Sequence, residues 1–274
     1  MKKNLFIYFP AIAAVLAVKM YYRTADSDML LWILTPTTWW VRVLSGISFE
    51  NISHVGYVSH EYRFIIAASC SGVRFMLITF TMMVFSFTRL MDSARKKVCW
   101  AGFSAVFSYI STIFVNGIRI TVSIYLPLVL MDKNLMPGWL TAEKLHTIIG
   151  TSVYFSMLFA IYYLAGKFFS RFFGQTGSTK PQGQTVYFIV PVFWYFVMVL
   201  GIPFAGRLYR NDWTGFWQYT VLVISICSCV MLLLLMHTGI HKKYVSKLAD
   251  ARRTSSGEGH SPTQLWGNLW RLKR

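Results

Sequence analysis

Three side chains of this sequence carry the chemistry of acyl transfer and stand far apart along the chain: Cys70 in AASCSGVRF, Arg119 in VNGIRITVSIYL and His146 in LHTIIGTSVYF. A thiol attacks a carbonyl carbon, an imidazole takes the thiol proton and returns it to a leaving amine, and a guanidinium holds the oxyanion between the two steps. Cys70 is followed by Ser71, Gly72 and an apolar run. The sulfur therefore falls beside the free N–H groups of a helix start, a position that favours thiolate. A lone cysteine is more often a small buried hydrophobe, and Cys99, Cys227 and Cys229 read that way. Four cysteines without a CxxC pair or ligand spacing imply neither a disulfide framework nor a metal site, and no cofactor is expected.

Arg119 lies in a strongly apolar stretch, where a guanidinium is costly unless it snorkels, pairs or faces a polar cavity. Asn116 and Gly117, one turn earlier, offer a polar and closely approachable backbone, consistent with a helix break. Arg74, one turn after Cys70, would complement the thiolate or anchor the segment before it. His146 follows the polar stretch MPGWLTAEK and so opens a helix; His54 and His60 are alternatives that spacing alone leaves open.

These residues need elements to hold them, and the composition says which. The chain of 274 residues is 55% hydrophobic and 14% charged, against about 25% charged in soluble domains. It reads as an all-α integral membrane helix bundle of about six spans, near 5–22, 73–88, 98–118, 145–166, 186–205 and 216–237. The first run, after Lys2 and Lys3, lacks a small-residue cleavage site and is expected to stay as a span. The connections expected in the cytoplasm, together with the N-terminal end and the tail beyond 237, hold 17 of the 27 basic residues but only three of the 10 acidic ones. By the positive-inside rule both termini are cytoplasmic, and Cys70, Arg119 and His146 all meet the extracytoplasmic face.

The stretch 29–46, with Pro36, Arg42, Trp32, Trp39 and Trp40, would invert this topology as a seventh span, so it is read as an outer interfacial helix. Residues 47–68 alternate polar and apolar around Gly56, as a short extracytoplasmic hairpin does. The Ser/Gly-rich tail over 252–262 reads as disordered, and Trp266, Leu269 and Trp270 as an amphipathic turn. The segments expected are thus a first span with interfacial helix (1–46), a core bearing the reactive residues (47–166), a cytoplasmic link with two further spans (167–237) and a basic tail (238–274).

AASCSGVRF at a helix start, NGIRI near the end of the following helix and LHTIIG opening the next resemble, in order and spacing, the three signature motifs of the exosortase/archaeosortase family, over roughly residues 47–165. Without a large appended soluble domain, the chain is most similar to exosortase K. The resemblance implies a cysteine transpeptidase of the bacterial cell inner membrane. Such an enzyme acts on exported proteins that end in a short motif, a transmembrane helix and a basic tail, and it works among membrane lipids without a cofactor. It also implies Cys70 as nucleophile, Arg119 as transition-state stabiliser and His146 as proton-transfer partner, with a thioester intermediate; the last two spans match no motif.

The main rival is a transporter or channel subunit in which Arg119 binds anions. A thiol oxidoreductase would need a second cysteine on the face of Cys70. Nucleic-acid binding is disfavoured despite a net charge of +17, because the basic residues are dispersed as the orientation rule requires and no recognised module is present.

Overall fold

Apolar runs near the length of a bilayer's hydrocarbon core form helices, because only a helix satisfies its own backbone there. Among the described residues, six are long and apolar enough to cross: Leu5–Thr24, Ala68–Leu90, Ala94–Asp132, Glu143–Phe172, Phe188–Leu208 and Phe216–Met236. The protein is an all-α membrane helix bundle. The computed structural model describes residues 4–133, 137, 140–173, 184–210, 213 and 215–257; at 142, 184–187, 209–210 and 237–257 it describes the backbone alone.

The helices are α1 (Leu5–Thr24), α2 (Leu31–Ser45), α3 (Val73–Phe87), α4 (Ala94–Asp132), α5 (Ala142–Phe173), α6 (Gln184–Phe196), α7 (Ile202–Arg210) and α8 (Phe216–Gly257). A π turn over Val197–Gly201 joins α6 to α7, so the fifth crossing is made of two helices. The span that contains α3 is 78% buried, whereas those of α1 and α8 are 17% and 11% buried. That contrast makes α3 the central helix, with α1, α4, α5 and α6 against it. From Ser228 on, α8 belongs to a second compact unit.

Three expectations change in form. The third span does not end at Ile118: α4 runs 39 residues without interruption, so Asn116 and Gly117 sit inside a continuous helix and Arg119 is a mid-helix residue. Small polar side chains do not break a helix when its carbonyls keep their partners, and Thr112, Ser108 and Ser104 return their hydroxyls to α4's own backbone. The hairpin is a three-stranded antiparallel meander, β1 (Glu50–Ile52), β2 (Gly56–Ser59) and β3 (Phe64–Ile66), in the order β1-β2-β3. Val58 is the centre of its register, opposite Glu50 on one side and Ile65 on the other.

The stretch expected at the interface is helical: a 3-10 turn, Asp28–Leu30, leads into α2, which continues through Pro36. It packs Ile33, Leu34 and Val41 inward and lies along α4. At the link expected in the cytoplasm, α5 continues to Phe173 and α6 begins at Gln184. The helical backbone of α8 reaches Gly257, so the first part of the expected disordered tail is helix; 258–262, Trp266, Leu269 and Trp270 lie outside the described residues.

Candidate active site

β3 delivers the chain to the site. After Ile66 the backbone stays extended at Ala67 and then tightens into a 3-10 turn, Ala68–Cys70. The amides of Cys70 and Ser71 are taken by the carbonyls of Ala67 and Ala68. Gly72 then enters the left-handed region at φ 73° and caps α3, a conformation that a side chain opposes. A Cβ there would also sit 2.9 Å from Asn116 Cγ and 3.0 Å from Thr112 Cγ2. Glycine thus lets the start of α3 lie directly on the face of α4 that bears Asn116. Among the described residues, the amides of Gly72, Val73 and Arg74 have no backbone acceptor, as at any helix start.

Cys70 is 6% exposed and Asn116 is fully buried. Asn116 Nδ2 donates to the Cys70 carbonyl at 2.6 Å. Its Oδ1 accepts from the Tyr154 hydroxyl at 2.6 Å and from Arg119 Nη1 at 3.4 Å. Arg119 Nη2 in turn meets His146 Nε2. The three residues singled out for chemistry are therefore joined through Asn116 into one hydrogen-bonded chain: Cys70 before α3, Arg119 on α4, His146 on α5. Guanidinium can only donate, so His146 Nε2 is the acceptor and the neutral ring carries its proton on Nδ1.

Arg119 is wedged as well as bonded. Its guanidinium lies 5.4 Å from the centre of the Tyr154 ring, and a Cβ on Gly150 would come within 3.1 Å of its Nε. Tyr154 stacks on Phe75 of α3 at 4.7 Å between ring centres. Arg119 Nε is buried with no hydrogen-bond partner among the described residues, as are Ser71 Oγ and Trp40 Nε1. Such groups carry a desolvation cost that a bound ligand relieves. Trp40 of α2 points the Cδ1 edge of its ring at Gly117, in contact with the position a Cβ would take.

Other residues fall elsewhere. Arg74 is exposed, with its field reaching Lys19 and Tyr219 rather than the chain around Asn116. His60 sits 3.7 Å from Glu50, both exposed on the sheet. His54 Nδ1 lies 3.1 Å from Asp26 and 3.3 Å from Asp28. Among the described residues, Asp26, Asp28 and His54 form the cluster whose ligand-type atoms come within 4.8 Å of one another, as metal binding needs. An open cleft of about 300 Å³ lies over the sheet, lined by residues such as Phe49, Val58 and Glu61, none of them in the Asn116 chain.

Tyr154 and Gly150 escaped the sequence reading although LHTIIGTSVYF contained their signal: His146, Gly150 and Tyr154 recur every fourth residue and so share one face of α5. No protein-family model matches this chain, and neither the curated proteins nor the solved structures hold a significant match to it.

Proposed function

We propose that this protein is a membrane-embedded cysteine transpeptidase of the exosortase/archaeosortase kind, most like exosortase K. It cleaves a C-terminal sorting signal of exported proteins at the outer face of a bacterial inner membrane and transfers the product to an acceptor. The observation that carries this reading is the hydrogen-bonded chain from the Cys70 carbonyl through Asn116 and Arg119 to His146. It unites a nucleophile, a cation and a base from three separate elements.

In the resting arrangement Arg119 occupies the Nε2 lone pair that a base requires. As the sulfur bonds to the carbonyl carbon, the C=O π pair moves onto oxygen, and Arg119 exchanges the imidazole for that oxyanion. The freed Nε2 takes the thiol proton. Collapse breaks the C–N bond, His146 gives the proton to the leaving amine, and a thioester remains. An amine or water then attacks the thioester carbon, loses its proton through His146, and the sulfur departs as thiol. The low dielectric of a buried site strengthens the oxyanion contact.

A transporter or channel subunit remains the second reading, favoured by the lack of any carboxylate partner for Arg119 among the described residues. The two are separated by expressing Cys70→Ala, Arg119→Ala and His146→Ala beside an exported protein that carries a C-terminal helix and basic tail. Loss of its cleavage on a gel is expected in all three; unchanged cleavage with Cys70→Ala ends the transpeptidase proposal.

A further inference from the structure

β3 is an edge strand of unusual composition. Its one partner is β2, and its residues are Phe64, Ile65 and Ile66, with Ile65 47% exposed. The backbone groups of Phe64–Ile66 have no hydrogen bond outside that ladder among the described residues. Proteins normally guard such an edge with charge, proline or cover, because unpaired N–H and C=O groups recruit another strand. The opposite edge, β1, follows the rule: Glu50 stands there with His60 beside it, and Asn51 is exposed. β3 carries no charge within its three residues, although Arg63 stands exposed just before it and Ile66 is buried, so its open position is Ile65; it is the strand that runs into Cys70.

We infer that the open edge of β3 is the docking rail for the substrate, which adds as an extended fourth strand and is thereby fed toward the Cys70 sulfur. The inference rests on the transpeptidase reading and specifies how the peptide is held. Ala67 continues the extended backbone and Ala68–Cys70 is a 3-10 turn. Ile66 and Cys70 are then separated by about 9 Å, at about 3.3 Å per extended residue and about 2 Å per 3-10 residue. A peptide paired with β3 spans that gap with about three further extended residues. Main-chain pairing supplies affinity without regard to side chains, the mode by which other sheet edges take extended peptides. The apolar side chains of β3 also keep water from competing for those bonds.

The test uses the full-length protein in detergent micelles and three thiol-directed probes: iodoacetamide, a tetra-alanine chloromethyl ketone, and the same ketone with its backbone amides N-methylated. Mass spectrometry follows alkylation of Cys70. The unmodified peptide should react about tenfold faster than the N-methylated one, the equivalent of a single backbone hydrogen bond. Ile65→Pro should erase that ratio. Should the proline variant fail to accumulate, the two peptides compared on the unaltered protein decide alone. Equal rates for both peptides, with iodoacetamide still reacting, overturn edge pairing and leave the transpeptidase reading standing. A Cys70 that reacts with none of the three overturns both.

Discussion

Asn116 uses both ends of its amide at once, and this makes it the side chain on which the geometry of the site depends. Its donor end is committed to the Cys70 carbonyl, its acceptor end to Tyr154 and Arg119. Tyr154→Phe keeps the ring stacked on Phe75 and removes only the hydroxyl. A hydrogen bond of this kind contributes about 1 kcal/mol, so the rate of signal cleavage in a pulse-chase should fall about five- to tenfold at unchanged protein level. Asn116→Asp is expected to be far worse, about a hundredfold or more: the carboxylate cannot donate to Cys70, and it holds Arg119 away from a developing oxyanion in a low-dielectric site. A variant as active as the wild type would show that Asn116 only fills space. That Cys70, Arg119, His146 and Asn116 come together was legible from residue type and position. Tyr154 was legible in principle from its fourfold spacing. Trp40 was not, because its contact with Gly117 joins helices far apart in the chain and leaves no local pattern.

At the scale of elements, the sequence reads well where a rule is local and poorly where a length is set by packing. All six crossings fall within a few residues of their expected places at most ends, since about 20 apolar residues dictate them. The 39-residue α4 is the exception. Nothing after Arg119 in VNGIRITVSIYLPLVLMD stops a helix, and even Pro127 is carried within it. The α2 and α4 helices approach through Gly117, where only a hydrogen leaves room for the Trp40 ring. Gly117→Val is therefore expected to wedge them apart, lowering stability by about 1–3 kcal/mol, seen as a lower midpoint in detergent thermal unfolding. The turn before β2 is clasped to the α1–α2 junction by a second device. His54 donates its backbone amide to Asp28 at 3.0 Å and shares its ring nitrogen with Asp26. The Asp26 hydrogen bond chiefly, then the Asp28 charge, raises His54 above its ordinary 6.5. The Met29 amide chiefly, then His54, lowers Asp26 below 3.8. A raised histidine stabilises below 6.5 and loses that effect as pH climbs through its folded value, whereas a lowered aspartate stabilises above 3.8 and loses it as pH falls further. The clasp is thus complete in mild acid. Hydrogen exchange at Val55 should show greater protection near pH ~5 than near pH ~8, and His54→Gln should remove the difference; equal protection in the unaltered protein would contradict the clasp.

Over the whole molecule, burial and charge point the same way. The most buried span, Ala68–Leu90, holds Cys70 near its start, and the least buried are the late crossings, which carry none of the candidate site residues. Arg119 and His146 lie on spans that are 39% and 44% buried, against 78% for the span that carries Cys70. Small polar residues line α4: Ser104, Ser108, Thr112 and Asn116 recur every fourth residue along it and let neighbouring backbones come close, as small residues do between helices in lipid. If the basic connections lie in the cytoplasm, the sheet and the loop before α4 must be on opposite sides of the membrane, since a single crossing, Ala68–Leu90, separates them. Ser53 in the turn between β1 and β2 and Ser93 before α4 are both exposed and report the two sides. With the four native cysteines replaced by alanine, a membrane-impermeant maleimide should label Ser53→Cys in cells with a permeabilised outer membrane, and Ser93→Cys only after lysis. The reverse pattern would turn the bundle over and put the proposed site in the cytoplasm, where exported substrates could not meet it. Labelling of both in unlysed cells would mean that Ala68–Leu90 does not cross, and the central place of α3 in the bundle would need another cause.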